Sequence, residues 1–549
     1  MKIALAQLNY HIGNFVGNRK KIIDTLHRAK QEGADLVVFS ELSVCGYPPY
    51  DLLERKEFNQ WTSESIDLIR NECHGIAAIL GAPTINESMK GKKLHNSALF
   101  LIDGEIRHLT HKTLLPTYDI FDEYRHFEPN TLFNTFELKG WKLALTLCED
   151  LWDEQPTNNS FAKNKLYIQS PLEALSRHQP DLVINIAASP FSYDQAGTRK
   201  KILIRNALEY HLPIVYVNQT GAQTELIFDG GSLYINARGE VEQELAYFEE
   251  DFRIIDLHDP KTTLNQPVQE SIANIHDALV LGIHDYFEKS GFQEAILGLS
   301  GGIDSAVVAV LASRALGANK VRVLLMPSAF SSDHSINDAL QLAKNLGLKH
   351  ETIPIQALVD AFEKALKPSF GDRLPDVSEE NIQARIRGIL LMAHSNKFGP
   401  ILLNTSNKSE CAVGYGTLYG DMNGGLSVLG DVYKTDVYRL ARFINRNEDI
   451  IPENTLLKPP SAELRPGQKD SDSLPDYPLL DAILFRYIEQ NQSPVEIAAQ
   501  GFDETLVRKI VRMVNQNEYK RFQTPPILRI SSKAFGFGRR MPLVARYEG

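Results

Sequence analysis

The chain has 549 residues, of which 43% are hydrophobic and 23% are charged, and its formal net charge at pH 7 is −11. This length is too great for one hydrophobic core and predicts two to four domains of ordinary globular composition. The acidic balance argues against a nucleic-acid surface, and no stretch reaches the roughly 18 apolar residues of a membrane span, so we expect neither partner.

The cysteine content is typical of a protein that works in a reducing environment. The four cysteines, Cys45, Cys73, Cys148 and Cys411, show neither the paired spacing of a metal site nor the density of a disulfide scaffold. The amino terminus enters a strand pattern at once, and its apolar run is too short for a signal peptide. We therefore expect a cytoplasmic protein.

Residues 1–258 alternate between apolar strand patterns and helical patterns. Strands are predicted at 3–8, 35–39, 77–80, 97–102, 142–147, 182–186 and 214–217, and helices at 18–31 and 197–211. This alternation predicts an α/β domain, arranged as a layered sandwich with helices packed on the faces of sheets.

Three chemically reactive side chains fall at the ends of extended segments in this half. Glu41 comes shortly after strand 35–39, Lys112 follows the segment 107–111, and Cys148 follows strand 142–147 directly. Strand ends are places where side chains from distant parts of a chain can converge on one pocket. Spacing alone does not join the three, because a buried cysteine is usually a small apolar filler and surface glutamates and lysines are common.

Several short motifs surround these residues, namely FSEL at 39–42, GYPP at 46–49, HKTLLP at 111–116, FDEYR at 121–125 and CEDLW at 148–152. Together they resemble the nitrilase-type glutamine amidases. The resemblance implies an α-β-β-α sandwich in which Cys148 is the nucleophile, Glu41 its general base and Lys112 the stabiliser of the tetrahedral intermediate. That chemistry is coherent, because a thiolate attacks an amide, and a nearby ammonium lowers the cysteine pKa and binds the developing oxyanion.

The same resemblance suggests residues that bind glutamine. Tyr118 and Ser189 match positions that hold glutamine in relatives, and Gln195 stands where a basic residue is often found. Arg199 is a candidate substitute for that basic residue, as a ligand of the glutamine carboxylate. Glu123 is a candidate support for the catalytic lysine.

A polar segment at 258–270, with two prolines and no periodicity, separates the two halves of the chain. Such a segment predicts a domain boundary. We expect a first domain at 1–258, a linker at 259–270 and a second domain at 271–549.

The second half repeats the order strand, loop, helix. A helix is predicted at Ser271–Ser290, and strands are predicted at 295–299, 321–326, 352–355 and 401–404. The alternation predicts a doubly wound parallel sheet whose ligands lie at the carboxyl ends of its strands.

The loop after the first of these strands is typical of a phosphate cradle. It reads Gly298, Leu299, Ser300, Gly301, Gly302, Ile303, Asp304 and Ser305. Its glycines let a ligand approach the backbone, and the free N–H groups of the following helix favour an anion. No Gly-Lys-Ser/Thr ends the loop, and Asp304 stands there instead, which suggests a Mg²⁺ ligand beside bound phosphates. A small-residue turn with Ser300 as the helix N-cap is the alternative.

Three residues farther along the chain extend this predicted site. Glu410 is the natural second Mg²⁺ ligand, and Thr405 and Lys434 are candidates to bind ATP. Taken alone, Glu410 also suits a helix-start acid, and Lys434 also suits a solvated surface lysine.

Six segments of this half carry a family resemblance, namely 298–305, 381–387, 405–410, 419–421, 429–435 and 460–464. They are similar to the NAD synthetase family of N-type ATP pyrophosphatases, whose fold is adenine nucleotide α-hydrolase-like. The resemblance implies that ATP occupies the loop at 298–305 together with Thr405 and Lys434. It implies contacts with deamido-NAD at Asn381, Arg385, Glu410 and Lys533.

The two resemblances together imply an ATP-dependent carbon–nitrogen ligase. Glutamine would supply ammonia through a cysteine thioester, and the ammonia would displace AMP from adenylated deamido-NAD. Free ammonia is largely protonated in neutral water, so we expect its transfer to be sheltered. Relatives are homo-oligomers, and we expect the same here.

Other interpretations stay open from the sequence. The chain could be another amidotransferase or ligase of the ATP pyrophosphatase type that acts on a different acceptor. A nucleotide-binding scaffold with inactive sites is disfavoured because both sets of reactive residues are present. A tRNA-modifying enzyme is disfavoured by the acidic charge and the lack of a basic domain.

Overall fold

A computed structural model describes residues 1–153, 166–193, 195–260 and 271–547 of the chain. The chain divides into two compact units, Met1–Gln269 and Glu270–Gly549, and each has its own hydrophobic core. Most of the predicted linker lies outside the described residues. Across the described ranges, no helix is both long enough and apolar enough to cross a membrane.

The first unit is built mainly from strands. They are β1 (Lys2–Gln7), β2 (Leu36–Val38), β3 (Ala77–Ile85), β4 (Leu94–Ile102), β5 (Glu105–His111), β6 (Phe136–Leu138), β7 (Trp141–Leu147), β8 (Leu182–Ala187), β9 (Ile214–Asn218), β10 (Thr220–Gln223), β11 (Leu226–Asp229), β12 (Leu233–Ile235), β13 (Val241–Glu244) and β14 (Asp251–Asp256). The helices are α1 (Phe15–Gln31), α2 (Lys56–Arg70), α3 (Pro171–Ser176) and α4 (Gln195–Tyr210).

Two six-stranded sheets form the centre of this unit. The first has the strand order β14-β1-β2-β3-β4-β5 and the second has the order β13-β12-β9-β8-β7-β6. In each sheet three neighbouring strands run parallel, namely β1 to β3 and β7 to β9, and the outer strands pair antiparallel. Strands β10 and β11 form a separate hairpin.

Side chains alternate between two layers of core because successive residues of a strand point to opposite faces. In β7, Leu143, Leu145 and Leu147 join a cluster shared by both sheets, whereas Ala144 joins a cluster with residues of α3 and α4. A third cluster joins the first sheet to α1 and α2. The predicted α-β-β-α sandwich is therefore confirmed.

The second unit combines a small sheet with many helices. Its strands are β15 (Ala295–Gly298), β16 (Val321–Leu325), β17 (Lys349–Thr352), β18 (Ile401–Asn404) and β19 (Leu426–Ser427). Its helices are α5 (Ser271–Ser290), α6 (Ile303–Leu316), α7 (Asp333–Leu346), α8 (Gln356–Phe370), α9 (Val377–Phe398), α10 (Lys408–Val413), α11 (Lys434–Ile444), α12 (Glu453–Leu457), α13 (Tyr477–Ile488), α14 (Pro494–Ala498), α15 (Glu504–Gln516) and α16 (Glu518–Arg521).

The sheet of this unit is parallel throughout, with the order β17-β16-β15-β18-β19. Helices α8 and α9 pack on it through a cluster that includes Val359 and Ile386, while α6 contacts β15 and β16 and packs against α5. The strand order reverses at β15, which leaves a crevice at the carboxyl ends of β15 and β18. The predicted doubly wound sheet is confirmed.

One predicted strand of this sheet is misplaced. The apolar pattern predicted a strand at 352–355, but β17 is Lys349–Thr352, and its residues are exposed. An edge strand that buries no side chains carries no apolar signal. The apolar residues Ile353 and Ile355 instead lie in the connection to α8, where their N–H groups donate to Leu325 and Pro327 carbonyl oxygens.

Candidate active site

The three candidate amidase residues project from three strand ends in the first unit. Glu41 lies shortly after β2, Lys112 directly follows β5, and Cys148 opens the 3-10 turn Cys148–Leu151 after β7. All three residues are buried, with exposed fractions of 0%, 1% and 7% in that order. The two sheets therefore bring together residues that are far apart in the sequence.

Lys112 is the centre of a buried ion-pair cluster. Its Nζ donates to Oε1 of Glu41 at 2.8 Å and to Oε1 of Glu123 at 2.8 Å. Burial opposes a charge on this ammonium, but Glu123 and Glu41 together raise the pKa of Lys112 well above its ordinary value. A lysine that stays charged in a dry site is suited to stabilising a negatively charged oxygen.

The carboxylate of Glu41 is held by donors on both of its oxygens. Asn96 Nδ2 donates to Oε1 at 2.7 Å, next to the lysine, and the backbone N–H of Ala188 donates to Oε2 at 3.0 Å. The following residue, Leu42, has a φ of 48°, so the chain turns sharply here. An acceptor fixed in this way is placed to receive a proton from a neighbouring group.

Cys148 sits at a sharp turn and carries a neutral thiol. Its φ of 39° lies in the left-handed region, which residues other than glycine rarely adopt. Burial raises the pKa of the thiol well above its ordinary value and Glu41 raises it further, whereas Lys112 lowers it. The expected effect of the ammonium is present, but the net shift is opposite to the predicted one because burial outweighs it. A nucleophilic attack by this sulfur would therefore require the loss of its proton.

Glu123 is the second carboxylate that contacts Lys112. Its Oε1 also accepts a hydrogen bond from the Tyr47 hydroxyl at 2.9 Å. Burial raises the pKa of Glu123 to about 7, an effect that Lys112 opposes and Glu41 reinforces. The contact with Lys112 that the sequence suggested is present.

The three candidate glutamine-binding residues lie in the same unit. The Tyr118 hydroxyl donates to Oε1 of Glu149, the residue after the nucleophile, at 2.8 Å. Ser189 is buried just after β8, and its N–H donates to Oδ1 of Asn218 at 2.9 Å. Gln195 is the first residue of α4 and is half-buried. Their contact with glutamine stays a prediction.

Arg199 is not placed to serve as a substitute ligand. Its guanidinium is fully buried and donates from Nη1 and Nη2 to the two carboxylate oxygens of Asp229, at 3.0 Å and 2.8 Å. This bidentate pair already uses the two guanidinium N–H groups that a substrate carboxylate would need. The suggestion from the sequence is therefore not supported.

The candidate phosphate loop of the second unit joins β15 to α6. Ser300 Oγ accepts the N–H of Gly302 at 3.2 Å and lies 3.1 Å from Oγ of Ser305. Gly301 has a φ of 79°, and a Cβ at this position would lie 2.1 Å from the carbonyl oxygen of Ser335. The N-cap of α6 is Gly302, which offers no side-chain cap, so the alternative with Ser300 as N-cap is wrong. The first turn of α6 remains available to an anion.

Asp304 and Glu410 share the ammonium of Lys434. Its Nζ lies 2.5 Å from Oδ2 of Asp304 and 3.3 Å from Oε1 of Glu410. Lys434 is only 2% exposed, so its interpretation as a solvated surface lysine is wrong. Burial raises the pKa of Glu410 to about 8, and the ammonium of Lys434 opposes that rise.

The chemistry of these two carboxylates fits a magnesium ion. Both are hard oxygen donors, and each directs one oxygen at the same cationic group. Asn407 orients both of them, because its Nδ2 donates to Oδ1 of Asp304 at 2.9 Å and its N–H donates to Oε2 of Glu410 at 3.3 Å. The ammonium of Lys434 already contacts both carboxylates, so a bound ion would share these two ligands with it.

Two of the candidate dinucleotide-binding residues lie one turn apart on α9. Asn381 Oδ1 accepts a hydrogen bond from the Thr417 hydroxyl at 2.6 Å, and Arg385 Nε donates to the carbonyl oxygen of Leu418 at 3.2 Å. Thr405 directly follows β18 and so lies at the same sheet edge as the phosphate loop.

Lys533 belongs to a carboxyl-terminal segment that a buried cluster anchors. Lys408 Nζ donates to the carbonyl oxygen of Lys533 at 3.0 Å and pairs with Asp431 and Glu489, each at 2.9 Å. Asp431 Oδ2 also accepts the N–H of Ser531 at 2.7 Å. The cluster therefore ties the backbone of Lys533 to α10, the helix that carries Glu410.

Sequence reasoning missed several residues that shape these sites. Asn407 was visible in principle, because an asparagine three residues before a glutamate is a capping-box pattern. Asn96 and Gly81 lie inside strands, where no local pattern separates them from ordinary strand residues. A Cβ at Gly81 would lie 2.3 Å from the backbone nitrogen of Leu42. Only a glycine at this position therefore avoids a steric clash with the turn at Glu41.

Comparison with known proteins defines the class of each unit. Residues 2–263 match the family model described as carbon-nitrogen hydrolase, and residues 275–524 match the model described as NAD synthase. The chain therefore combines a carbon–nitrogen hydrolase unit with an NAD synthase unit, as the motifs implied.

Full-length relatives combine the same two units. A glutamine-dependent NAD(+) synthetase of Synechocystis sp. is 46% identical over 100% of this chain and 99% of the relative, and one of Thermotoga maritima is 40% identical over 100% and 99%. The solved structure of the glutamine-dependent NAD+ synthetase of Acinetobacter baumannii with ADP is 40% identical, covers 99% of this chain and 98% of its own, and has a TM-score of 0.78. This chain belongs to the glutamine-dependent NAD(+) synthetase family.

Proposed function

We propose that the first unit releases ammonia from glutamine and that the second unit uses this ammonia, with ATP, to convert deamido-NAD into NAD. The observation that carries the proposal is the buried cluster of Glu41, Lys112 and Glu123 next to Cys148. The same chain holds Asp304 at the end of a glycine-rich phosphate loop. The expected products are NAD, AMP, pyrophosphate and glutamate.

In the first unit, Cys148 attacks the side-chain amide carbon of glutamine. Glu41 takes the thiol proton as the C–S bond forms. The raised pKa of the thiol keeps the sulfur protonated until the substrate reacts, so the proton has to be removed in this step. Lys112 stabilises the oxyanion of the tetrahedral intermediate. Glu41 then gives this proton to the amide nitrogen as the C–N bond breaks and ammonia leaves. Glu41 next takes a proton from the water molecule that attacks the thioester, the C–S bond breaks to release glutamate, and Glu41 returns the proton to the sulfur of Cys148.

Glutamine is held by Tyr118, Ser189 and Gln195 in this proposal. The hydrogen bond from Tyr118 to Glu149 keeps the tyrosine next to the turn that carries Cys148. The buried carboxylate of Glu149 also suits the ammonium group of an amino acid substrate, since burial raises its pKa and an ammonium would compensate the charge.

In the second unit, the nicotinate carboxylate of deamido-NAD attacks the α-phosphate of ATP. Pyrophosphate leaves, an acyl adenylate forms, and ammonia then displaces AMP. The loop Gly298 to Ser305, Thr405 and Lys434 bind ATP, and the deamido-NAD contacts are Asn381, Arg385, Glu410 and Lys533. The free N–H groups at the start of α6 favour the phosphate oxygens.

Magnesium is the proposed cofactor, held by Asp304 and Glu410. When bound, the ion would neutralise charge on the pyrophosphate leaving group. Asn407 keeps the two carboxylates in place, and Lys434 holds a positive charge between them.

We also propose the setting in which the chain works. The domains are 1–258 and 271–549 with a linker at 259–270, the protein is cytoplasmic, and it forms a homo-oligomer. Ammonia passes from one reaction to the other without release into solvent. If added free ammonia competed fully with nitrogen from ¹⁵N-labelled glutamine, this last point would be ruled out.

Replacement of the nucleophile tests the proposal directly. Cys148→Ala should reduce glutamine-supported NAD formation to background and preserve NAD formation from added ammonium salt, because only the ammonia source is lost. NAD and glutamate are measured with each nitrogen source.

A buried cysteine away from the site provides the matched control. Cys73 donates to the carbonyl oxygen of Ile69 at 3.4 Å, and Cys73→Ala should keep both activities. Loss of ammonium-supported synthesis in Cys148→Ala, with Cys73→Ala active, would contradict the separation of the two reactions.

A further inference from the structure

Asn96 contacts all three charged residues of the glutaminase cluster, Glu41 and Glu123 at their carboxylates and Lys112 at its backbone. It lies within β4 and is fully buried. Its Nδ2 donates to Oε1 of Glu41 at 2.7 Å and to Oε2 of Glu123 at 3.4 Å. The backbone carbonyl oxygen of Asn96 accepts a hydrogen bond from the backbone N–H of Lys112 at 2.7 Å. A single strand residue therefore links the base, the second carboxylate and the lysine.

The two carboxylates fix the orientation of the Asn96 amide. With the NH₂ group toward them, each N–H has an acceptor, whereas the flipped amide would place Oδ1 against two carboxylates. In the observed orientation, buried Oδ1 accepts no hydrogen bond from any described residue. An unsatisfied buried oxygen is unfavourable, so the gain from donating to both carboxylates must outweigh it.

We propose that Asn96 is a positioning residue that fixes Glu41 and Glu123 on either side of Lys112 and preserves both of them as hydrogen-bond acceptors. The inference rests on the proposed glutaminase function. Two carboxylates share one ammonium here, so each is stabilised as the ionised form by any further donor. Without the amide, mutual repulsion favours a proton on one of them, and a protonated Glu41 cannot act as base.

The surrounding groups make a neutral donor necessary. The titratable groups that face the pair are Lys112 after β5, Tyr47 after β2, Cys148, Glu149 and Asp150 in the turn after β7, and Tyr167. Of these, only Lys112 is cationic, and the others are acids. Asn96 adds donors without adding charge.

Two substitutions test the inference through the pH dependence of glutamine hydrolysis. The acid limb of kcat/KM for glutamate release reports the ionisation of the free enzyme. In Asn96→Ala this limb should move up by about one pH unit, because one donor to the carboxylates is lost. Asn96→Asp has nearly the same shape, adds a third acid and should move the limb further, so it decides the question if the alanine variant does not fold.

Ser97→Ala is the matched control on the same strand. Ser97 is also buried, but its hydroxyl lies within hydrogen-bond distance of Thr84 Oγ1 at 2.6 Å and His111 Nδ1 at 2.8 Å, away from the carboxylates. Burial lowers the pKa of His111 to about 4, below the range of the assay. The loss of this hydroxyl should lower stability and leave the acid limb in place.

An unchanged acid limb in both Asn96 variants would overturn the inference and leave Asn96 a packing role only. Failure of the proposed function looks different. If Cys148→Ala and Glu41→Gln still released glutamate, the glutaminase chemistry itself would be wrong. If those two variants are inactive and the Asn96 variants keep the wild-type acid limb of kcat/KM, only the positioning role of Asn96 is wrong.

Discussion

The raised pKa of the Cys148 thiol constrains the proposed glutaminase mechanism. Burial and Glu41 raise the pKa of the thiol and Lys112 lowers it. The net pKa is well above the ordinary value because the effect of Lys112 is the smaller one. Many cysteine enzymes instead keep a thiolate next to a cation. In the proposed mechanism, Cys148 passes its proton to Glu41 as the substrate reacts, which requires an unprotonated Glu41 carboxylate. The contacts of Glu41 with Lys112, Asn96 and the Ala188 N–H serve that requirement.

The raised pKa of Glu123 makes stability depend on pH. Burial raises this pKa from 4.5 to about 7, so the folded chain binds the proton more tightly than the unfolded chain. The stabilisation is fully present below about pH 4.5 and is lost as pH rises toward 7, at a slope of up to about 1.4 kcal/mol per pH unit. Glu123→Gln should flatten the decline in thermal midpoint between pH 5 and pH 7.5.

The decline should become shallower in that variant and not vanish. Asp150 has a pKa that burial raises to about 7, and it contributes a slope of the same sign. Replacement of the exposed Glu137 by glutamine is the control and should leave the wild-type slope. Equal slopes in Glu123→Gln and wild type would show that Glu123 titrates near its ordinary value.

Residue identities were predictable from the sequence to a greater extent than residue contacts. Motif resemblance named Glu41, Lys112 and Cys148, and strand ends brought them together because parallel strands of packed sheets share an edge. No pattern showed that Arg199 pairs with Asp229, since a guanidinium finds its partner only when the chain is folded. The pKa of Cys148 also depends on burial, which its neighbours in sequence do not reveal.

Among the elements, β3 constrains the backbone at Glu41, the proposed base of the glutaminase. Gly81 in this strand lies directly beneath the turn at Glu41, and a Cβ at Gly81 would lie 2.7 Å from the Cα of Glu41 and 2.3 Å from the nitrogen of Leu42. Both of those atoms belong to the backbone, so the clash cannot be relieved by a change of rotamer.

Gly81→Ala should therefore disable the glutaminase by moving the base. A displacement of Glu41 by a fraction of an ångström to 1 Å should reduce glutamate release by about 100-fold. NAD formation from ammonium salt should persist. Both rates are measured on the same preparation.

Gly197→Ala provides the comparison for this prediction. Gly197 lies in α4, and a Cβ there would meet nothing within 4 Å. That substitution should keep glutamate release and raise stability by about 0.4–1 kcal/mol. If the Gly81 variant hydrolysed glutamine as fast as the Gly197 variant, β3 would not position the base.

Element boundaries followed from the sequence where one face of the element is buried. The helix predicted at Ser271–Ser290 matches α5, because its apolar residues repeat with a helical period and pack on α6 and α11. Strand β17 was missed because it is polar and lies at the sheet edge. Periodic patterns of apolar residues reveal buried faces, and β17 has no buried residues for such a pattern to reveal.

At the scale of the whole molecule, two units with separate cores carry two chemistries with different requirements. The mechanism proposed for the first unit uses a thiol, two carboxylates and a lysine, and it needs no metal. The second unit uses carboxylates that fit Mg²⁺, at Asp304 and Glu410.

Removal of divalent cations should therefore separate the two reactions. With EDTA, NAD formation from ammonium salt should stop and should return when Mg²⁺ is added in excess, while glutamate release continues. The assays follow NAD and glutamate in parallel. In Cys148→Ala the pattern should be reversed, with glutamate release absent and Mg²⁺-dependent NAD formation present. Glutamate release that stopped and recovered together with NAD formation would contradict this division.

The architecture and family of the whole chain followed from motifs distributed along it. The nitrilase-type motifs span 39–152 and the pyrophosphatase motifs span 298–464, and both families were identified correctly. The contacts that support each site, such as Lys408 with Asp431 and Glu489, join segments far apart in sequence and became visible only in the folded chain.

The neutral state of the Cys148 thiol has a consequence for chemical durability. Peroxides and alkylating reagents attack thiolates far faster than thiols. In the proposed mechanism the thiolate forms only while glutamine is bound, so the enzyme should tolerate such reagents in the absence of glutamine. An effective covalent inhibitor would therefore have to imitate the amide well enough to make Glu41 withdraw the proton.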